Sequence, residues 1–145
     1  MTGSYIILLQ VDPKLMKFVE GISQEKRKFI ARMVAVWACD VSGANDHIDD
    51  DVQSYLATGD ISKININNIG HMVEFLDEEY FNITDRNDGL DSTGMAMCWF
   101  RKARAVNSVM YAAGCESLQS FCDVLYEAYT ATNDLKTIEA ICYNT

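Results

Sequence analysis

The chain is short of structure breakers. It has one proline, Pro13, and eight glycines in 145 residues. A turn-rich β fold needs many more, so the shortage favours helices. A long apolar run is also missing. The opening MTGSYIILLQVDPK has no basic leader and only a short apolar stretch, whereas a membrane span takes about 20 apolar residues. It reads as neither a signal peptide nor a span, and the expected compartment is the cytoplasm.

Metal and catalytic patterns are missing as well. The only histidines are His47 and His71, and neither has a second His or Cys three or four residues away, which excludes a zinc pair. Placing Gly89 at the sixth position of a calcium loop puts Thr84, Arg86 and Met95 where ligands belong, so that pattern fails too. No G-x-S-x-G, phosphate-binding glycine loop or H-E-x-x-H occurs. The expectation is a protein that is not an enzyme and uses no cofactor and no metal. The five cysteines are odd in number, without a C-x-x-C pair, and sit among apolar neighbours such as VWACD and MAMCWF. They read as reduced core thiols rather than a disulfide framework.

What is present is a core and a lopsided charge. Apolar residues make up 49% of the chain, enough for a single domain over 1–145. Apolar positions recur at helical spacing in successive blocks. They are Phe29, Ile30, Met33, Val34, Trp37 and Val41; then Ile48, Val52, Tyr55 and Leu56; then Ile69, Met72, Val73, Leu76 and Tyr80. A longer helix over about 93–113 carries two adjoining apolar stripes, one of which includes Cys98, and should be central. Helices over about 116–130 and from Leu135 complete the set. The expected fold is all-α, a compact bundle of six to seven amphipathic helices, with residues 5–11 as a helical turn or one short N-terminal strand. Asp12 and Pro13, Ser23, Asp46 and one of Asn67 or Asn68 are the expected helix starts. Residues 82–92 read as a polar loop.

The net charge is −9, and its distribution matters more than its sum. Residues 41–100 hold two basic and twelve acidic side chains, while the flanking segments nearly balance. Such a middle repels nucleic acid and anionic membrane and attracts basic proteins. Four aspartates fall within six positions: Asp46, Asp49, Asp50 and Asp51. Asp46 and Asp49 suit a helix start, but Asp50 and Asp51 exceed what capping asks for. A second acidic group, EFLDEEY, supplies Asp77, Glu78 and Glu79, with Glu74, Asp77 and Glu78 expected on the outer face of their helix. Tyr55 and Tyr80 are the nearby aromatics that could anchor a partner or finish a core stripe. His47, among carboxylates, is expected to favour its protonated form. The basic stretches EKRKFIAR (25–32) and FRKARAV (100–106) lack the aromatic interleaving of a single-strand binder, and their cations are expected to pair with the acidic middle.

These features lead to an acidic inhibitor that covers a basic protein, of the bacterial immunity or antitoxin kind, with a nuclease-type toxin as the partner. Complementary charge speeds such association toward about 10⁸–10⁹ M⁻¹s⁻¹ at low salt. The alternatives are a DNA-mimic inhibitor of a nucleic-acid-binding protein, or a helical scaffold that self-associates. The chain itself would be a monomer or a homodimer.

Overall fold

The computed structural model describes residues 3–86 and 93–145. Its first element decides the ambiguous N-terminal run. Gly3–Val11 forms helix α1, so no strand forms over residues 5–11. The Asp12 amide continues the pattern with a 2.7 Å bond to the Leu8 carbonyl. A lone strand would also lack a neighbour, because every described element is helical. Asp12 then accepts from the Leu15 amide at 3.1 Å, and Pro13 opens α2 (Pro13–Gly21), the favoured order for a start.

Ser23 caps α3 (Gln24–Ser42) through the Lys26 amide. Gly43 ends it in the left-handed region at φ 79, where a side chain would be strained. A 3₁₀ turn (Ala44–His47) leads to α4 (Asp50–Thr58), which Gly59 closes at φ 82. Next come α5 (Ile66–Arg86), α6 (Met95–Ala113), α7 (Leu118–Thr132) and α8 (Leu135–Tyr143). The described residues thus hold eight α-helices, one more than the upper expectation.

Two boundaries differ from the sequence reading. Asn65, not Asn67 or Asn68, supplies the side-chain oxygen at the head of α5, accepting from both of those amides. At the other end α5 runs on through 82–86, where a loop was expected, because Ile83 is buried and keeps that turn docked. The remainder of that loop, with Asp88 and Asp91, lies outside the described residues.

Helix α6 is the centre of the bundle, as its double stripe predicts, although α5 is longer. It packs against α5, α7 and α3, and α3 and α7 also pack on each other. Residues 105–109 of α6 are buried on every side. Small residues permit this close approach: Ala31, Ala35 and Ala38 on α3, Ala103, Ala105 and Ala112 on α6, and Ala128 and Ala131 on α7. The two buried polar residues in α6 are satisfied. The Ser108 hydroxyl donates to the Ala105 carbonyl at 2.6 Å, and the Asn107 amide donates to Glu127 at 2.8 Å.

Helix α5 docks mainly through α6. The pairs Gly70 with Met110, Asp77 with Arg104 and Tyr80 with Phe100 run in opposite directions along the two helices, so they are antiparallel. At the other edge, α1 rests on α7 and α2, with Ser4 donating to Asp123. Only Leu8 of α1 is buried, while Ile6, Ile7, Leu9 and Val11 remain exposed. Phe29 and Val41, expected in an apolar stripe, are also exposed, as is Met95. No described helix is long and apolar enough to cross a membrane.

Candidate interaction surface

The aspartate stretch straddles the 3₁₀ turn and the head of α4. Asp49, not Asp46, is the cap. Its carboxylate accepts from the Val52 amide at 2.9 Å. Ile48 explains the shift: it is extended and buried, so the chain must dive into the core before the helix begins. Asp50 and Asp51 then occupy the first turn, where the helix dipole favours negative charge. Asp46 belongs to the 3₁₀ turn.

All four carboxylates are exposed, and none forms an ion pair among the described residues. Among the described residues, ion pairs form only from Arg104, to Asp77 at 2.9 Å and to Glu127 at 3.4 Å. The expected internal neutralisation is therefore confined to Arg104. Arg27 instead serves the carbonyls of Val19 and Glu20, and Arg32 that of Leu56.

The turn carries the acidic stretch against aromatics of α5 and α6. The His47 ring lies 5.2 Å from Trp99, and Phe75 meets Trp99 edge-on at 6.4 Å. Lys102 sits 4.8 Å over the Trp99 ring and 3.3 Å from His47 Nε2. An ammonium group can only donate, so Nε2 accepts and His47 is neutral in this contact. Burial and Lys102 hold His47 below its ordinary value, against the opposing pull of Asp46. The expectation of a readily protonated His47 is thus corrected: burial and the Lys102 ammonium outweigh Asp46. Phe75 is 48% exposed and Trp99 is half-buried, so the acidic stretch borders an accessible aromatic pair.

The second acidic group lies elsewhere. Trp99 and Arg104 are separated by roughly 140° around α6, at about 100° per residue. Asp77, expected on the outer face, joins the Arg104 flank, where Arg104 also reaches Glu127 and stands 5.6 Å from the Phe100 ring. Glu78 is exposed and Glu79 half-buried. Tyr80 is half-buried, in contact with the rings of Phe81 and Phe100. Asp77 and the aspartate stretch therefore occupy opposite flanks of the α5–α6 pair rather than one face. Tyr55 is 3% exposed with its ring in the core stripe, so it offers no aromatic face to a protein partner. The aromatics that do adjoin the aspartates, Phe75 and Trp99, carry no local signal in the sequence; only the fold brings them beside His47.

Among the described residues no three His, Cys, Asp or Glu side chains are placed to hold a metal ion. Cys39, Cys115, Cys122 and Cys142 are buried, and burial pushes Cys39, Cys122 and Cys142 up to about 12. Such thiols are poor nucleophiles at neutral pH. Cys98, expected within an apolar stripe, is exposed instead. Compared with known proteins, the chain matches no family model, no curated protein and no solved structure.

Proposed function

We propose that this is an acidic binding protein that covers a basic surface on another protein, an inhibitor of the immunity or antitoxin kind. One observation carries the reading: four exposed aspartates, without an ion pair among the described residues, adjoin the accessible Phe75–Trp99 pair. The two parts suit different tasks. Exposed carboxylates steer a basic partner and set salt dependence, whereas binding energy concentrates in aromatic anchors. Phe75 and Trp99 take the anchoring role that the sequence offered to Tyr55 and Tyr80.

The test compares three baits in native lysate at about 50 and about 500 mM salt, where screening differs strongly. They are wild type, a variant with Asp46, Asp49, Asp50 and Asp51 changed to Asn, and Phe75→Ala. The proposal expects a basic protein held by wild type at low salt and lost from both variants. That protein should arrest growth when expressed alone and be neutralised by co-expression. Equal retention by all three baits would overturn the assignment.

A second reading, self-association, has one observation in its favour. Helix α1 has no charged residue and leaves four large apolar side chains exposed at a net-neutral helix. Light scattering on wild type and on Ile6→Gln/Val11→Gln tests it. A dimer unaffected by salt and dissolved by the double substitution would favour this reading; a wild-type monomer at high concentration would end it.

A further inference from the structure

A cleft of about 420 Å³ opens between α3, the end of α4 with the segment after it, and the end of α6. We infer that this cleft binds a small organic monocarboxylate with a compact apolar body. The inference is independent of the binding function proposed above.

Tyr55 provides the first reason. It lines the cleft and is 3% exposed, yet among the described residues no hydrogen bond reaches its hydroxyl. Among the described residues Arg104 Nε is the one fully buried side-chain polar atom without a partner, so the Tyr55 hydroxyl is open to solvent and can meet a ligand in the cleft. Burial pushes this phenol up to about 12, so at neutral pH it stays protonated and able to donate.

Arg32 provides the second. One guanidinium nitrogen, Nη1, donates to the Leu56 carbonyl at 3.0 Å, and the Phe29 ring lies 5.5 Å from the guanidinium carbon. Gly59 allows the chain to pass beside it, since a Cβ there would come within 3.2 Å of Nε. The guanidinium is thus fixed in place, and its other N–H groups have no bond to the described chain. A fixed planar fork is the group best suited to a carboxylate. Lys28, one turn earlier on α3, is exposed at the same cleft and forms no ion pair among the described residues.

The walls define the rest of the ligand. Phe29 and Ile61 present apolar surface, 46% and 56% exposed, to the cleft. Its volume falls in the range of small-molecule sites, about 300–1,000 Å³. Glu25 and Glu116 also line it, so two cations face two carboxylates. The lining is therefore neutral overall, so recognition of an anion rests on the free edge of Arg32, and a dianion would meet Glu25 and Glu116 with no surplus cation to offset it.

The test uses phenylacetate, indole-3-acetate and hexanoate as probes, beside benzyl alcohol (neutral) and phenyl phosphate (dianionic). Binding is followed by amide NMR and calorimetry on wild type, Tyr55→Phe and Lys28→Gln. At least one carboxylate should saturate and shift the amides of Arg32, Tyr55, Gly59 and Ile61, and benzyl alcohol should not. Tyr55→Phe should weaken it about tenfold while leaving the thermal midpoint of the free protein unchanged or higher, because the hydroxyl has no partner to lose. Lys28→Gln, at an exposed position, should weaken it several-fold without affecting folding. The inference is overturned if no carboxylate saturates, if both variants bind like wild type, or if phenyl phosphate binds more tightly than the carboxylates.

Discussion

Arg104 holds two carboxylates with one guanidinium, Asp77 on α5 and Glu127 on α7. Its Nε is buried without a partner, so the arrangement is useful but incompletely satisfied. Removing it leaves Glu127 buried with only Asn107 for support. Arg104→Ala should therefore cost about 3 kcal/mol in urea unfolding, the scale for orphaning a buried charge. Glu127→Gln should cost far less. Burial pushes Glu127 up, against Arg104 and the Asn107 hydrogen bond. A raised carboxyl binds its proton more tightly in the folded state. Its contribution to stability is thus fully present below its ordinary value of 4.5 and is lost as pH rises through the folded value. The stability of Glu127→Gln relative to wild type should accordingly improve with pH across that window. A loss of relative stability with rising pH would refute this account. The thiols give a further check at the same scale. A disulfide reagent should titrate one thiol rapidly in the native protein, Cys98, and all five in urea.

Among the elements, glycines separate strain from space. Gly70 lies inside α5 with ordinary helical backbone, and a Cβ there would meet the Met110 sulfur at a comfortable 3.9 Å. Gly70→Ala should raise stability by about 0.5–1 kcal/mol. Gly59→Ala should lower it by about 1 kcal/mol or more, because φ is +82 and Arg32 crowds the added carbon. Thermal melts of the two variants should shift in opposite directions. The helix map was legible wherever a boundary is local. Asp12 with Pro13, Ser23, Gly43 and Gly59 act on amides or dihedrals within a few residues. It was illegible where packing decides. Asp46 and Asp49 are equally good caps on paper, and only the burial of Ile48 selects between them. Residues 82–86 are polar enough for a loop, and only the docking of Ile83 makes them helix. Residues 5–11 form a run too short for periodicity to identify, and no local signal distinguishes α1 from a strand.

The candidate sites show the same division in the whole molecule. The aspartates could be found in sequence because charge clusters locally. Their aromatic neighbours could not, since His47, Phe75 and Trp99 meet only after α5 and α6 have paired and the 3₁₀ turn has docked on them. The cleft is still more remote from sequence, with walls drawn from α3, α4 and α6. One consequence of the central helix concerns how the molecule comes apart. Segment 105–109 is enclosed by the rest of the bundle, whereas α1 has one buried residue and α5 docks mainly on a single neighbour. Hydrogen exchange should follow that order. Amides of α1 should exchange through local fraying and those of α5 through partial opening. Those of 105–109 should exchange only when the bundle opens globally, at a rate set by the full unfolding free energy.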